Sequence, residues 1–258
     1  AVQTGISIIM IYYAGAQMQT LGDIFGYGKV NLAWVGPIVT VLAVIGCINA
    51  FNMVDGIDGL LGGLSIVTFG SIAILLFLSG EQKLSYLCIL LVITMIPYII
   101  MNLGLFGRAR KVFMGDAGSM MIGFTVIWLL IGASQNPGSP MIRPVTALWL
   151  IAVPLMDMVA IMIRRIKQKK SPFKPDREHL HHICQRIGCS PMQTLALICF
   201  IASVFASVGM LGEVYNIPEY YMFYCFLVVF SLYLYALANY CKVINYIRCK
   251  LGLPELTI

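Results

Sequence analysis

The chain has 258 residues, of which 60% are hydrophobic and 11% charged, and its formal net charge is +6. Soluble domains carry about 25% charged residues, so this composition excludes a water-soluble globule and requires lipid to cover part of the apolar surface. The eight cysteines form no CxxC pair and suggest no disulfide framework, and no nucleic-acid partner is expected.

The expected fold is all-α: one polytopic transmembrane helix bundle over residues 1–258, with about eight spans. A bilayer-crossing helix needs about 20 apolar residues. In chain order the apolar segments are 3–19, 32–51, 64–79, 84–104, 118–133, 145–163, 192–212 and 219–241. The first and third are short. No signal-peptide pattern opens the chain, and the first segment begins already inside an apolar run, which reads as a clipped N-terminus.

Basic residues orient the bundle. With Ala1 on the cytoplasmic side, the inside segments 52–63, 105–117, 164–191 and 242–258 hold fourteen of the seventeen Lys and Arg, and the outside ones only Lys29, Lys83 and Arg143. Lys and Arg concentrate on the cytoplasmic side of membrane proteins. The candidate chemistry lies on that same face.

The first inside loop carries Asn52, Asp55 and Asp58 at three-residue spacing, which on a helix would put their oxygens on one face. Glycines 56, 59, 62 and 63 let the backbone bend and a ligand approach. The second loop ends in KVFMGDAGS, where Asp116 precedes an apolar helix. Asp116 with Ser119 reads either as a helix cap or as a hard-cation ligand beside a phosphate-sized gap, because Mg²⁺ prefers one or two carboxylates plus substrate phosphates. The third loop, SPFKPDREHLHHICQR, holds all three histidines: His179, His181 and His182. With Cys184 and Cys189 nearby, zinc is an alternative, but the spacing fits no common structural zinc pattern. Imidazoles among Lys174, Arg177 and Arg186 better suit a diphosphate or proton transfer. Asp157, an acid within the 145–163 span, reads as an interhelical partner or a functional group.

Four stretches in this order, NAFNMVDGIDGLLGGLS, VFMGDAGS, PVTALWLIAVPLMDMVAIMIRR and SPFKPDREHLHH, resemble the polyprenyl-phosphate N-acetylhexosamine-1-phosphate transferases over nearly the whole chain. The similarity is greatest to the bacterial branch that makes undecaprenyl-diphospho-GlcNAc. It implies a multi-pass protein of the bacterial inner membrane with cytoplasmic catalytic loops, serving cell-surface polysaccharide synthesis. The implied reaction moves GlcNAc-1-phosphate from UDP-GlcNAc to undecaprenyl phosphate and releases UMP, with Mg²⁺, or alternatively Mn²⁺, as cofactor. A homodimer is also compatible.

The resemblance matches Asn52 and Asp116 to metal positions, and Asp55 and Asp58 to the nucleotide cleft, so that Asp55, Asp58 and Asp116 are the catalytic candidates. Asn102 and Phe113 match nucleoside contacts; His179, His181 and His182 match the diphosphate-binding motif. The family also has an adjacent aspartate pair before the helix corresponding to the first one here, and no Asp-Asp pair occurs in this sequence. The expectation is therefore a chain lacking the earlier family helices and inactive alone. The rivals are a membrane cation transporter, whose acids usually sit near the bilayer midplane in repeated halves, and an inactive fragment of the transferase.

Overall fold

Apolar stretches interrupted by glycine and proline give eleven α-helices among the described residues, 2–135, 140–171 and 179–250 of a computed structural model. Those residues contain no strand, only an isolated antiparallel bridge between Thr20 and Asn31. After α1 (Val2–Tyr12) come α2 (Gly36–Met53), α3 (Leu60–Leu78), α4 (Gln82–Asn102) and α5 (Gly115–Ser134). Then follow α6 (Pro144–Leu150), α7 (Ala152–Lys167), α8 (Leu180–Ile187), α9 (Pro191–Val214), α10 (Glu219–Ala238) and α11 (Tyr240–Lys250).

Six helices are long and apolar enough to cross a membrane, or seven spans if α6 and α7 count as one, against the eight expected. The 3–19 segment is the first correction. Its helix stops at Tyr12, and Gly15 at φ +64° takes the chain into a loop that runs to the next helix. The 145–163 segment is the second. It bends by 83° between α6 and α7. Pro154 has no N–H to give to the carbonyl of Leu150, four residues back, and that carbonyl instead accepts the Thr68 hydroxyl at 3.3 Å. Loop 52–63 is also shorter than expected, because Gly62 and Gly63 lie inside α3, packed on Ile99 and Cys199.

Val44, Phe51, Ile72, Leu76 and Val126 are fully buried between helices, whereas Leu42, Ile74, Phe77, Ile93 and Leu232 are more than half exposed. An outward apolar layer of this kind is stable only against lipid. Successive spans alternate in direction. The α2–α3 turn, the α4–α5 loop and α8 therefore meet at one end of the bundle. At the opposite end Gln135 holds the backbone of Gln19 and Thr20, and Arg143 pairs with Glu213 at 3.2 Å.

Candidate active site

The α2–α3 connection is a turn, not a continuation of the helix. Asn52 sits in the last turn of α2, and Asp55 and Asp58 lie in the turn itself, so their three-residue spacing does not place them on one helical face. Gly59 closes the turn at φ +79°, with Leu195 and Leu103 crowding the space where a side chain would begin. Only glycine meets both demands without strain.

Two contacts fix the second loop against the first. Asn102, at the end of α4, is 3% exposed. Its Oδ1 accepts the Gly59 N–H at 2.5 Å and its Nδ2 donates to the Val112 carbonyl at 2.8 Å. Beyond Val112, Lys111 forms an ion pair with Asp58 and lies 5.2 Å from the ring centre of exposed Phe113. At the start of α5, the Asn52 amide donates to Ser119 Oγ at 2.8 Å and, more weakly, to Asp116 Oδ1 at 3.4 Å. Ser119 in turn donates to the Asp116 carbonyl at 3.1 Å. The residue preceding α5, Met114, makes no side-chain cap, and Asp116, in the first turn, and Ser119 both accept from Asn52 of α2.

The third contribution comes from α8. Asp157, on α7 and 2% exposed, accepts from the Leu180 N–H at 3.1 Å and the Tyr233 hydroxyl at 2.6 Å, and its Oδ2 lies 2.8 Å from His179 Nδ1. The His179 and His181 rings are stacked, 2° from parallel with centres 5.8 Å apart; the His181 and His182 centres are 4.2 Å apart. His181 is buried against Gly56, its Nε2 without a hydrogen-bond partner. A β-carbon at Gly56 would collide with that ring. The histidine helix therefore seats directly on the aspartate turn.

Electrostatics follow from this crowding. The pKa of Asp55 is raised above 3.8, first by loss of water around it and then by the charges of Asp116 and Asp58. His181 is lowered to about 4 by burial and by its two histidine neighbours, and is neutral at physiological pH. Burial raises the Cys184 thiol to about 11, which leaves it protonated. Among the described residues no three His, Cys, Asp or Glu side chains converge as a closed metal site. Mg²⁺ does not need one. Asp55 and Asp116, mutually repelling at one end of the bundle, are the donor chemistry a divalent cation would relieve. Asn52, its amide nitrogen already engaged, would offer its oxygen. Next to Asp58 opens a cleft of about 270 Å³, lined also by Leu103, Ser190, Pro191 and Met192.

Of the residues singled out in the sequence, Asn52, Asp55, Asp58, Asp116, Phe113 and the three histidines lie at this end of the bundle, and Asn102 lies beneath it, joining two loops. Lys174 and Arg177 fall outside the described residues. Sequence reasoning missed Lys111 as the partner of Asp58 and Tyr233 as the partner of Asp157. It did flag Asp157, because an acid within a span demands a partner.

Residues 1–134 match the model of glycosyl transferase family 4. A protein of Yersinia pestis called undecaprenyl-phosphate alpha-N-acetylglucosaminyl 1-phosphate transferase is 50% identical over 248 residues, covering 96% of this chain and 68% of the relative. Proteins of the same name from Haemophilus influenzae and Escherichia coli strain K12 are each 47% identical over 248 residues and 96% of this chain, covering 70% and 67% of their own lengths.

Proposed function

This chain belongs to glycosyl transferase family 4, and from that premise we propose that it transfers GlcNAc-1-phosphate from UDP-GlcNAc to undecaprenyl phosphate, releasing UMP. The observation that carries the reading is the meeting of three segments at one end of an apolar bundle: the Asp55–Asp58 turn, the Asp116–Asn52 corner and the His181 face against Gly56. A water-soluble nucleotide and a lipid phosphate can meet only at such a boundary. This end faces the cytoplasm of the bacterial inner membrane, as the Lys and Arg excess at this end supports.

A phosphate oxygen of the lipid attacks the β-phosphorus, and the bond to the UMP oxygen breaks. Two anions approach, so the protein's tasks are neutralisation and alignment. Lys111, tethered by Asp58 and lying near Phe113, supplies a cation beside the cleft. Neutral His181 presents its Nε2 toward the aspartate turn. Asp55, Asp116 and the Asn52 oxygen would hold Mg²⁺, which when bound draws charge from the diphosphate. An apolar cavity of about 290 Å³ between α2, α5 and the bent α6–α7 pair, lined by Leu42, Gly46, Ile127, Ile151 and Leu155, would take part of the isoprenoid chain.

The test uses the gene product that carries this chain, purified in detergent and given Mg²⁺, undecaprenyl phosphate and a panel of UDP-sugars. Mass spectrometry of the lipid fraction should show undecaprenyl-diphospho-GlcNAc with UMP in equal amount. A lipid product with another sugar would refute the substrate assignment, and no product from any UDP-sugar would refute the reaction.

A further inference from the structure

The family reading gives no task to the buried acid Asp157. Asp157 is a carboxylate inside the bundle, 2% exposed, at a position where an unpaired charge is costly. It carries three contacts, and two of them have fixed direction. A backbone N–H can only donate, and the Leu180 N–H reaches Oδ1 at 3.1 Å. The Tyr233 hydroxyl reaches the same oxygen at 2.6 Å, short as hydrogen bonds to ionised acceptors are. Oδ1 is therefore an acceptor twice over. The remaining oxygen, Oδ2, faces His179 Nδ1 at 2.8 Å in a buried contact. With both donors on Oδ1, an ionised Asp157 leaves Oδ2 able only to accept, and Nδ1 then carries the proton. A ring held in this way has its tautomer and its plane set by the carboxylate.

The consequence passes beyond His179. Its ring lies parallel to that of His181, and His181 is pressed on Gly56 in the turn that carries Asp55 and Asp58. The Leu180 N–H that Asp157 accepts belongs to the first turn of α8, which has no side-chain cap of its own. A single carboxylate on a spanning helix thus fixes both the start of the histidine helix and the ring that backs its central imidazole.

We propose that Asp157 is a positioning residue: with Tyr233 it locks His179 as the Nδ1–H tautomer and holds the histidine face in register with the aspartate turn. This rests on the transfer reading for its catalytic consequence, but not for its tautomer.

The experiment reads both. The chain has three histidines, so NMR of protein carrying isotope-labelled histidine nitrogen gives few resonances, and His179→Gln identifies the relevant pair. At about pH 8, above the ordinary histidine pKa, His179 should be protonated at Nδ1 in the unmodified protein. Asp157→Asn keeps the shape but turns an amide N–H toward His179, and the tautomer should switch to Nε2–H. In the same variant kcat should fall on the order of 10–100-fold, the scale seen when outer partners of functional histidines are removed. KM for UDP-GlcNAc should change by less than about threefold, the pattern of lost orientation in place of lost binding. Tyr233→Phe should keep the Nδ1–H tautomer and lose less activity. A His179 protonated at Nε2 in the unmodified protein overturns the proposal without needing any variant to fold. So does a fall in kcat with no change of tautomer, which would reduce Asp157 to a helix cap. Should the unmodified protein transfer no sugar phosphate, the transfer reading fails, while the resonances still decide whether Asp157 sets the tautomer.

Discussion

His181 rests its imidazole on Gly56, with no room for a β-carbon between them. That contact joins the histidine helix to the turn bearing Asp55 and Asp58, across 125 positions of sequence.

Gly56→Ala should push the ring off the turn. The glycine lies at the exposed mouth of the bundle, and the melting midpoint in detergent should move little. Sugar-phosphate transfer should fall about 10–100-fold, since displacements near 1 Å cost that much when groups must align. Kinetics at saturating UDP-GlcNAc check this; a variant as fast as the unmodified protein would show that the contact is incidental.

Asn102 makes the opposite prediction, a loss of stability. Asn102→Ala leaves the Gly59 N–H without its partner in a buried place, and the Val112 carbonyl without its partner in a half-buried one. An unpaired buried group costs about 1–3 kcal/mol, and the half-buried carbonyl can take water, so unfolding in detergent should become easier by about 1–3 kcal/mol. A pure nucleoside contact would behave differently, raising KM for UDP-GlcNAc at unchanged stability.

Much of this end of the molecule was legible in the sequence, and the reasons for the rest are local. Charged and amide residues confined to alternate loops of an apolar chain must share a face, which assigns Asp55, Asp116 and the histidines to one end of the bundle. The break between α6 and α7 was missed, because an apolar run that continues on both sides of Pro154 hides an 83° bend from any hydropathy reading. The run through Ala14 and Ala16 hid the end of α1 in the same way, because Gly15 at φ +64° costs nothing in hydropathy. The partners of Asn102 and Asp157 depend on how distant segments dock, and no spacing rule carries that.

Asp55 gives a pH dependence. Its pKa is raised above 3.8 in the folded chain, so the fold binds this proton more tightly than the unfolded chain does. Stability from this group is present below the unfolded value and is lost as pH rises through the raised one. Asp55→Asn should therefore raise the melting midpoint at about pH 8, with the gain shrinking as pH falls. Mg²⁺ should oppose the same repulsion, stabilising the unmodified protein more at about pH 8 than at roughly pH 5. Equal Mg²⁺ stabilisation of the unmodified protein and Asp55→Asn would remove Asp55 from the metal site.

Sidedness is open to direct labelling. With exposed Cys225 and Cys249 replaced by serine, a membrane-impermeant maleimide on intact cells should label Lys83→Cys and spare Arg110→Cys. Opening the cells should expose position 110. Reversed labelling would turn the aspartates away from cytoplasmic UDP-sugars.

The central claim concerns which bond breaks, and a single isotope decides it. UDP-GlcNAc radiolabelled at the β-phosphate is incubated with the gene product that carries this chain, undecaprenyl phosphate and Mg²⁺. The account predicts the label in the lipid fraction, unlabelled UMP in solution, and loss of both with Asp116→Asn. Label retained in soluble UDP, with the sugar alone moved to lipid, would contradict it.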